Sequence, residues 1–296
     1  MLSLAVLVPD TPLLVPGAAG RAHVLDAERA AAGLAARSLV RIAPDRVVVV
    51  ASARVARVLE GHVRASLAAA GIADAELGWA ARSVPTGAPS ALDVGGVAPT
   101  ASAAATVALL LLASAGWTGP VTVVEVAPPA IVGGDELRAL GRSLAAGADR
   151  VAFVVAGSLS ARNGPGALLA EDDRAAGVDA ALLASLDGLA APAAPAAPGA
   201  PAVPAVPAAP ADLAPTSALD PLAPSTGALA AELAVTAWAP LQVLLGAVGE
   251  AAPGASGADV PLVTRPFGVT YVVTTWGFGL VPPVGAIVGA RRAAAS

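Results

Sequence analysis

The stretch RIAPDRVVVVAS, residues 41–52, sets a polar turn against four consecutive valines. A β-branched run bounded by turn residues reads as a strand buried on both faces. Upstream lie a short apolar run, Leu2–Val8, and DAERAAAGLAARSLVRI, residues 26–42, which reads as a helix with Asp26 near its start. Strand, helix and strand within about fifty residues predict a parallel pair joined by a right-handed crossover.

The pattern recurs along the chain. Residues 54–71, RVARVLEGHVRASLAAAG, read as a helix, and so do residues 100–116, TASAAATVALLLLASAG. PVTVVEV, residues 120–126, predicts a third buried strand. DELRALGRSLAAGADR, residues 135–150, is an amphipathic helix with Asp135 as its expected N-cap, leading into VAFVVAG, residues 151–157, a fourth strand. A helix around residues 177–186, helical sequence over 228–248 and a last strand in FGVTYVVTTW, residues 267–276, complete the series. The expected class is α/β, with a mainly parallel central sheet and helices on both faces.

Composition narrows the options. Apolar residues make up 56% of the 296 residues and aromatics only 3%, so the core must be built from Val, Leu and Ala. All 17 basic residues are Arg, the formal net charge is −5, and only Arg291 and Arg292 are adjacent. Scattered arginines form no stripe that could neutralise phosphates, which argues against a nucleic-acid partner. The absence of cysteine removes disulfides, thiolate metal sites and Cys nucleophiles. MLSLAVLVPD lacks the basic start and long apolar region of a signal peptide, so the expected location is cytoplasmic. Two uncharged windows, residues 94–124 and 267–290, are broken by GWTGP and by GFG and VPPVG, and read as buried soluble elements rather than membrane spans.

Residues 1–187 and 216–276 are expected to form one α/β domain. Between them, residues 188–215 change to a Pro/Ala sequence in which Pro192, Pro195, Pro198, Pro201, Pro204, Pro207 and Pro210 recur every third position. Such a segment favours a polyproline II helix, in which those 19 residues would span roughly 60 Å, and it reads as an inserted loop. Residues 277–296 form an apolar tail with a basic end, which gives a weaker reading as a surface-docking segment.

Ligands of parallel α/β sheets bind at the carboxyl ends of the strands, where crossover loops and helix N-termini converge. The polar groups expected there are Asp10 and Thr11 after the first strand, Ser52 after the second, and Ser158, Ser160, Arg162 and Asn163 after the fourth. Arg54 also follows the second strand, and Glu125 ends the third. Taken singly, most of these residues are ordinary caps and turn formers. Together they could line a pocket for a small aromatic or anionic ligand near Arg162, or let Asp10 with Glu125 or Glu171 hold a hard cation such as Mg²⁺ or Mn²⁺. The serines lack a neighbouring base that would make them nucleophiles.

Three segments together carry a family resemblance. LVPDTPLLVPG, residues 7–17, resembles the PHPPLLVP opening of the class III extradiol ring-cleavage dioxygenases of B-subunit type. Residues 150–186, RVAFVVAGSLSARNGPGALLAEDDRAAGVDAALLASL, are similar to their strand, Gly-Asp-Leu-Ser-His-type turn and following helix with an aspartate, here Asp179. WAPLQVLLGAV, residues 238–248, and RPFGVTYVVTTW, residues 265–276, resemble the closing helix and strand.

The resemblance implies ferrous iron held by two histidines and a carboxylate, a further acid/base histidine, and frequent homo-oligomers. It places Asp10, Ala53 and Ala161 where the family has histidines. Two alanines offer no lone pair, so that iron site cannot assemble there. The chain's two histidines, His23 at the start of the first helix and His62 within the second, are expected to be exposed or capping groups. The expectation is therefore a binding or scaffold protein with a silent catalytic site and no resident cofactor. The alternative is an enzyme of altered chemistry, of dioxygenase or hydrolase type, that uses Asp10 and other carboxylates around a divalent metal.

Overall fold

The computed structural model describes residues 1–74, 82–86, 98–147, 149–189, 222–249, 256–258 and 262–278. The Pro/Ala sequence beyond residue 189 and the tail beyond residue 278 lie outside them.

Four strands, β1 (Leu2–Val8), β2 (Arg46–Ser52), β6 (Val121–Val126) and β7 (Val151–Ala156), form the parallel centre of the sheet in the order β6-β2-β7-β1. Two edges are antiparallel. On one, β3 (Arg57–Leu59) pairs with β6. On the other, β10 (Tyr271–Gly277) pairs with β1, and the short β8 (Ser256–Ala258) and β9 (Leu262–Thr264) pair with β10. A separate two-stranded sheet joins β4 (Gly61–Ala65) to β5 (Arg82–Thr86).

Helices cover both faces, as the unbroken valine runs require. α1 (Asp26–Arg41) and α2 (Ala103–Ser114) pack on one face, against Val47, Val49 and Ala51 of β2. α3 (Gly134–Ala145), α4 (Arg174–Gly188) and α6 (Trp238–Gly249) pack on the other, against Val48 and Val50. The alternation of side chains along β2 thus feeds two separate cores. β1 follows the same rule from Leu4 onward: Leu4, Val6 and Val8 face the first core, and Ala5 and Leu7 the second.

α3 and α6 meet backbone to backbone. A Cβ on Gly141 would lie 1.8 Å from the Val243 carbonyl oxygen, and one on Gly246 would lie 2.0 Å from that of Arg138. Only hydrogen fits at either position. The seam is completed by Arg138, whose Nε donates to Gln242 Oε1 at 2.8 Å while Gln242 Nε2 and Arg138 both donate to the Leu222 carbonyl.

Several expectations are corrected. Residues 54–71 are not a helix but β3, β4 and a 3₁₀ turn at Ala68–Ala70, so His62 sits on a strand. The Ala-rich composition favours helix locally, but pairing of Arg57 to Leu59 with β6 and of residues 61–65 with β5 outweighs it. The helical sequence over 228–248 divides into α5 (Gly227–Glu232) and α6, because the peptides between them bond sideways: Leu233 O accepts the Ala161 N–H and Ala237 N–H donates to Ser158 O. Pro240 falls in the first turn of α6, where a missing N–H costs nothing. The N-cap of α3 is Gly133, and Asp135 instead lies in the first turn beside Glu136, favourable to the helix dipole. The last strand starts at Tyr271, since Pro266–Gly268 form a 3₁₀ turn, and it runs antiparallel to β1. His23 precedes α1, with Nδ1 3.7 Å from the exposed Asp26 carboxylate. No described helix is long and apolar enough to cross a membrane.

Candidate functional site

The carboxyl ends of β1, β2 and β6 open into a cleft of about 920 Å³, within the range of small-molecule sites. Its walls come from four directions. Asp10 follows β1, Ser52, Ala53, Arg54 and Val55 end and follow β2, Arg57 starts β3, and Glu125 lies near the end of β6. Ser102, Ala103 and Ala104 bring the N-terminus of α2 to the cleft, and Thr236 joins the lining from the segment between α5 and α6. Much of the remaining surface is small and apolar, from Ala53, Val55, Ala69 and Pro128.

Glu125 ties this wall together. Its carboxylate is fully buried and accepts from Arg57 Nε on one oxygen and from the Ser102 N–H on the other. One side chain thereby joins β6 to the edge strand and to the cap of α2. Ser102 Oγ in turn accepts the Ala105 N–H at 3.2 Å, capping the helix. Arg57 also donates to the Thr100 carbonyl at 2.8 Å.

On the other side, Ser158 Oγ donates to Asp10 Oδ1 at 2.6 Å, and Ser52 Oγ donates to the Thr236 carbonyl at 2.7 Å. Thr236 Oγ1 accepts the Ser158 N–H at 2.8 Å. The serines are therefore spent on holding the loop after β7 and the segment before α6 in place. Arg54 is exposed at the cleft and makes no hydrogen bond or ion pair among the described residues.

The expected site residues thus divide into two groups. Asp10, Ser52 and Glu125 line the cleft, with Ser158 behind Asp10. Thr11 turns away: its Oγ1 accepts the Leu13 N–H at 3.3 Å and meets the Tyr271 hydroxyl. Tyr271 is buried, and that burial, with Asp10 and Glu28 nearby, pushes its phenol above the ordinary value, against the Thr11 hydrogen bond.

Ser160, Asn163 and Asp179 form a second, internal network. Asp179, fully buried on α4, accepts the Ser160 N–H at 2.9 Å and Asn163 Nδ2 at 2.8 Å, and Asn163 also donates to Thr270 Oγ1 at 3.0 Å. Burial raises the Asp179 carboxyl above its usual range, opposed by hydrogen bonds from Thr270, Ser160 and Asn163 and by the charge of Arg265. Arg162, the cation that the sequence places at the pocket, is elsewhere. Its Nε donates to the Glu232 carbonyl and its Nη1 to the Ala170 carbonyl, both at 2.7 Å, and it lines no part of the cleft. Exposed Glu171 also stays outside the cleft wall.

Sequence reasoning missed Arg57, Ser102 and Thr236. Arg57 was hidden by the helical reading of its segment. Ser102 and Thr236 each precede a helix, a capping signal that gives no hint of a ligand.

A ferrous centre of two imidazoles and a carboxylate does not fit these residues. Ala53 offers no donor, Ala161 packs beside the core under α1 and α2, and His23 and His62 lie off the cleft wall. Both oxygens of Glu125 are already engaged. Among the described residues no group of three His, Cys, Asp or Glu side chains could hold a metal ion.

No family model matches the sequence, and no curated protein matches it significantly. Among solved structures, that of an uncharacterised protein from Escherichia coli K12 is similar over 92% of this chain and 99% of that one, at 13% identity and a TM-score of 0.47.

Proposed function

We propose that the chain is a divergent relative of the class III extradiol dioxygenase B subunits that binds a small molecule in the strand-end cleft and has given up iron-dependent ring cleavage. The observation that supports this reading is the pairing of position and chemistry in the cleft wall. Asp10 and Ala53, which the resemblance aligns with histidines, both line the cleft, yet the donors around them are one carboxylate held by Ser158 and another already bonded to Arg57 and Ser102. A concave, mostly apolar site with a few convergent polar groups is suited to a small ligand. Arg54 gives it a cationic corner.

The test has two arms. After anaerobic incubation with ferrous, manganese and zinc ions in turn, mass spectrometry should show no stoichiometric metal, and an oxygen electrode should show no uptake with catechols. Fragment binding followed by NMR should be lost in Ala53→Phe, which fills the cleft. Stoichiometric metal that disappears in Asp10→Ala would overturn the reading in favour of a metal-dependent enzyme. Fragment binding unchanged in Ala53→Phe would move the site elsewhere.

A further inference from the structure

The two unpaired charges of the cleft are of opposite sign. Asp10 accepts a hydrogen bond from Ser158 but forms no ion pair, and Arg54 has no partner among the described residues. Both line the cleft, Asp10 after β1 and Arg54 after β2, and no ion pair joins them. The remaining charged pair, Arg57 and Glu125, is internally neutralised. Among the described lining residues the charges therefore balance, with an anionic corner after β1 and a cationic corner after β2.

A simple anion would satisfy Arg54 and be repelled by Asp10, and a simple cation would meet the reverse. A multiply charged phosphate fits less well still, because among the described residues only one guanidinium without a partner faces it. Ala103 and Ala104, the first residues of α2, add the positive end of a helix dipole to the cationic side, and their N–H groups make no hydrogen bond among the described residues. Ala53, Val55, Ala69 and Pro128 supply an apolar surface alongside.

We infer that the cleft takes a small zwitterion, with its carboxylate on Arg54 and its ammonium on Asp10, and with an apolar body against the alanines. This inference rests on the reading of the cleft as a ligand site. It names a class of ligand, amino acids in the broad sense, and no reaction.

The experiment uses two isosteric probe sets on the full chain, by calorimetry. One is L-phenylalanine with 3-phenylpropanoate and 2-phenylethylamine. The other is 4-(aminomethyl)benzoate, in which the charges stand farther apart, with 4-methylbenzoate and 4-methylbenzylamine. The zwitterion of at least one set should bind about tenfold or more tightly than either single-charge analogue, because each lost charge removes a charge-assisted contact. Arg54→Gln should weaken the zwitterion and the acid by a similar factor while leaving the amine unchanged. Asp10→Asn, which keeps an oxygen for Ser158, should do the reverse.

Zwitterions that bind no better than their analogues, or do not bind, overturn the inference. If other fragments still lose binding in Ala53→Phe, only the ligand class falls. If none does, the cleft reading falls with it.

Discussion

Replacing Asp179 tests whether the network behind the cleft is a structural lock. The carboxylate is fully buried and satisfies the Ser160 N–H and one Asn163 N–H. In Asp179→Ala the Ser160 amide loses its acceptor and the Thr270 hydroxyl loses one partner but keeps Asn163 and Arg265, while Asn163 keeps Thr270 Oγ1 at 3.0 Å. One orphaned buried donor costs about 1–3 kcal/mol, and the void left by the carboxyl adds about 1 kcal/mol, so a loss of about 2–4 kcal/mol is expected in urea denaturation. Asp179→Asn preserves the shape but turns an N–H toward a donor, and should lose about 1–3 kcal/mol.

The pH dependence gives a second, independent reading. Burial raises the folded carboxyl above its ordinary 3.8, so the folded protein binds the proton more tightly than the unfolded chain does. The stability contributed by that proton is complete below 3.8, declines as the unfolded chain ionises, and is lost once the pH exceeds the folded value. The Asn variant has no such titration. The advantage of wild type over Asp179→Asn should therefore shrink as the pH rises above 3.8. An Ala variant losing less than about 1 kcal/mol, or an advantage that grows with pH, would refute the argument.

Other consequences follow from the same geometry. Gly141→Ala or Gly246→Ala would gain about 1 kcal/mol of helix propensity but force α3 from α6, so a net loss above about 2 kcal/mol is expected by thermal or urea unfolding. Glu125→Ala should leave the Ser102 N–H and Arg57 without their acceptor, costing about 3 kcal/mol and raising hydrogen exchange at the start of α2 and along β3 together. Tyr271 is the chain's single tyrosine, so tyrosinate absorbance reads one residue. It should titrate above 10.0 in the folded protein and at the ordinary value in urea, and its contribution to stability should be lost as pH rises past 10.0, because the unfolded phenol ionises first.

The parts of the fold legible in the sequence are those with local causes. The valine runs of β2 and β6 and the apolar run of β1 leave no reading but buried strands, and strand ends then locate Asp10, Ser52 and Glu125. What escaped the sequence is decided at a distance. Arg57 is in a strand because residues 57–59 pair with β6, where Glu125, 68 residues later, is its partner and also accepts its Nε. The break before α6 exists because Ser158 and Ala161 exchange hydrogen bonds with residues 233–237. Arg162 leaves the cleft for two carbonyls that no periodicity could disclose. Its place is taken by Arg54, visible at the end of β2 yet left out of the expected pocket for want of any pattern.

The glycine seam between α3 and α6 joins parts of the chain that the Pro/Ala sequence separates. The carboxyl-terminal part also supplies β10, whose neighbour in the sheet is β1 at the other extreme of the chain. A cut within residues 190–221 would therefore sever the polypeptide and leave the α3–α6 seam and the β1–β10 pairing in place. The two pieces should behave as split-protein halves, each unable to close its own core, and reassemble into a working cleft when mixed, because Thr236 on one half completes a site whose other walls belong to its complement.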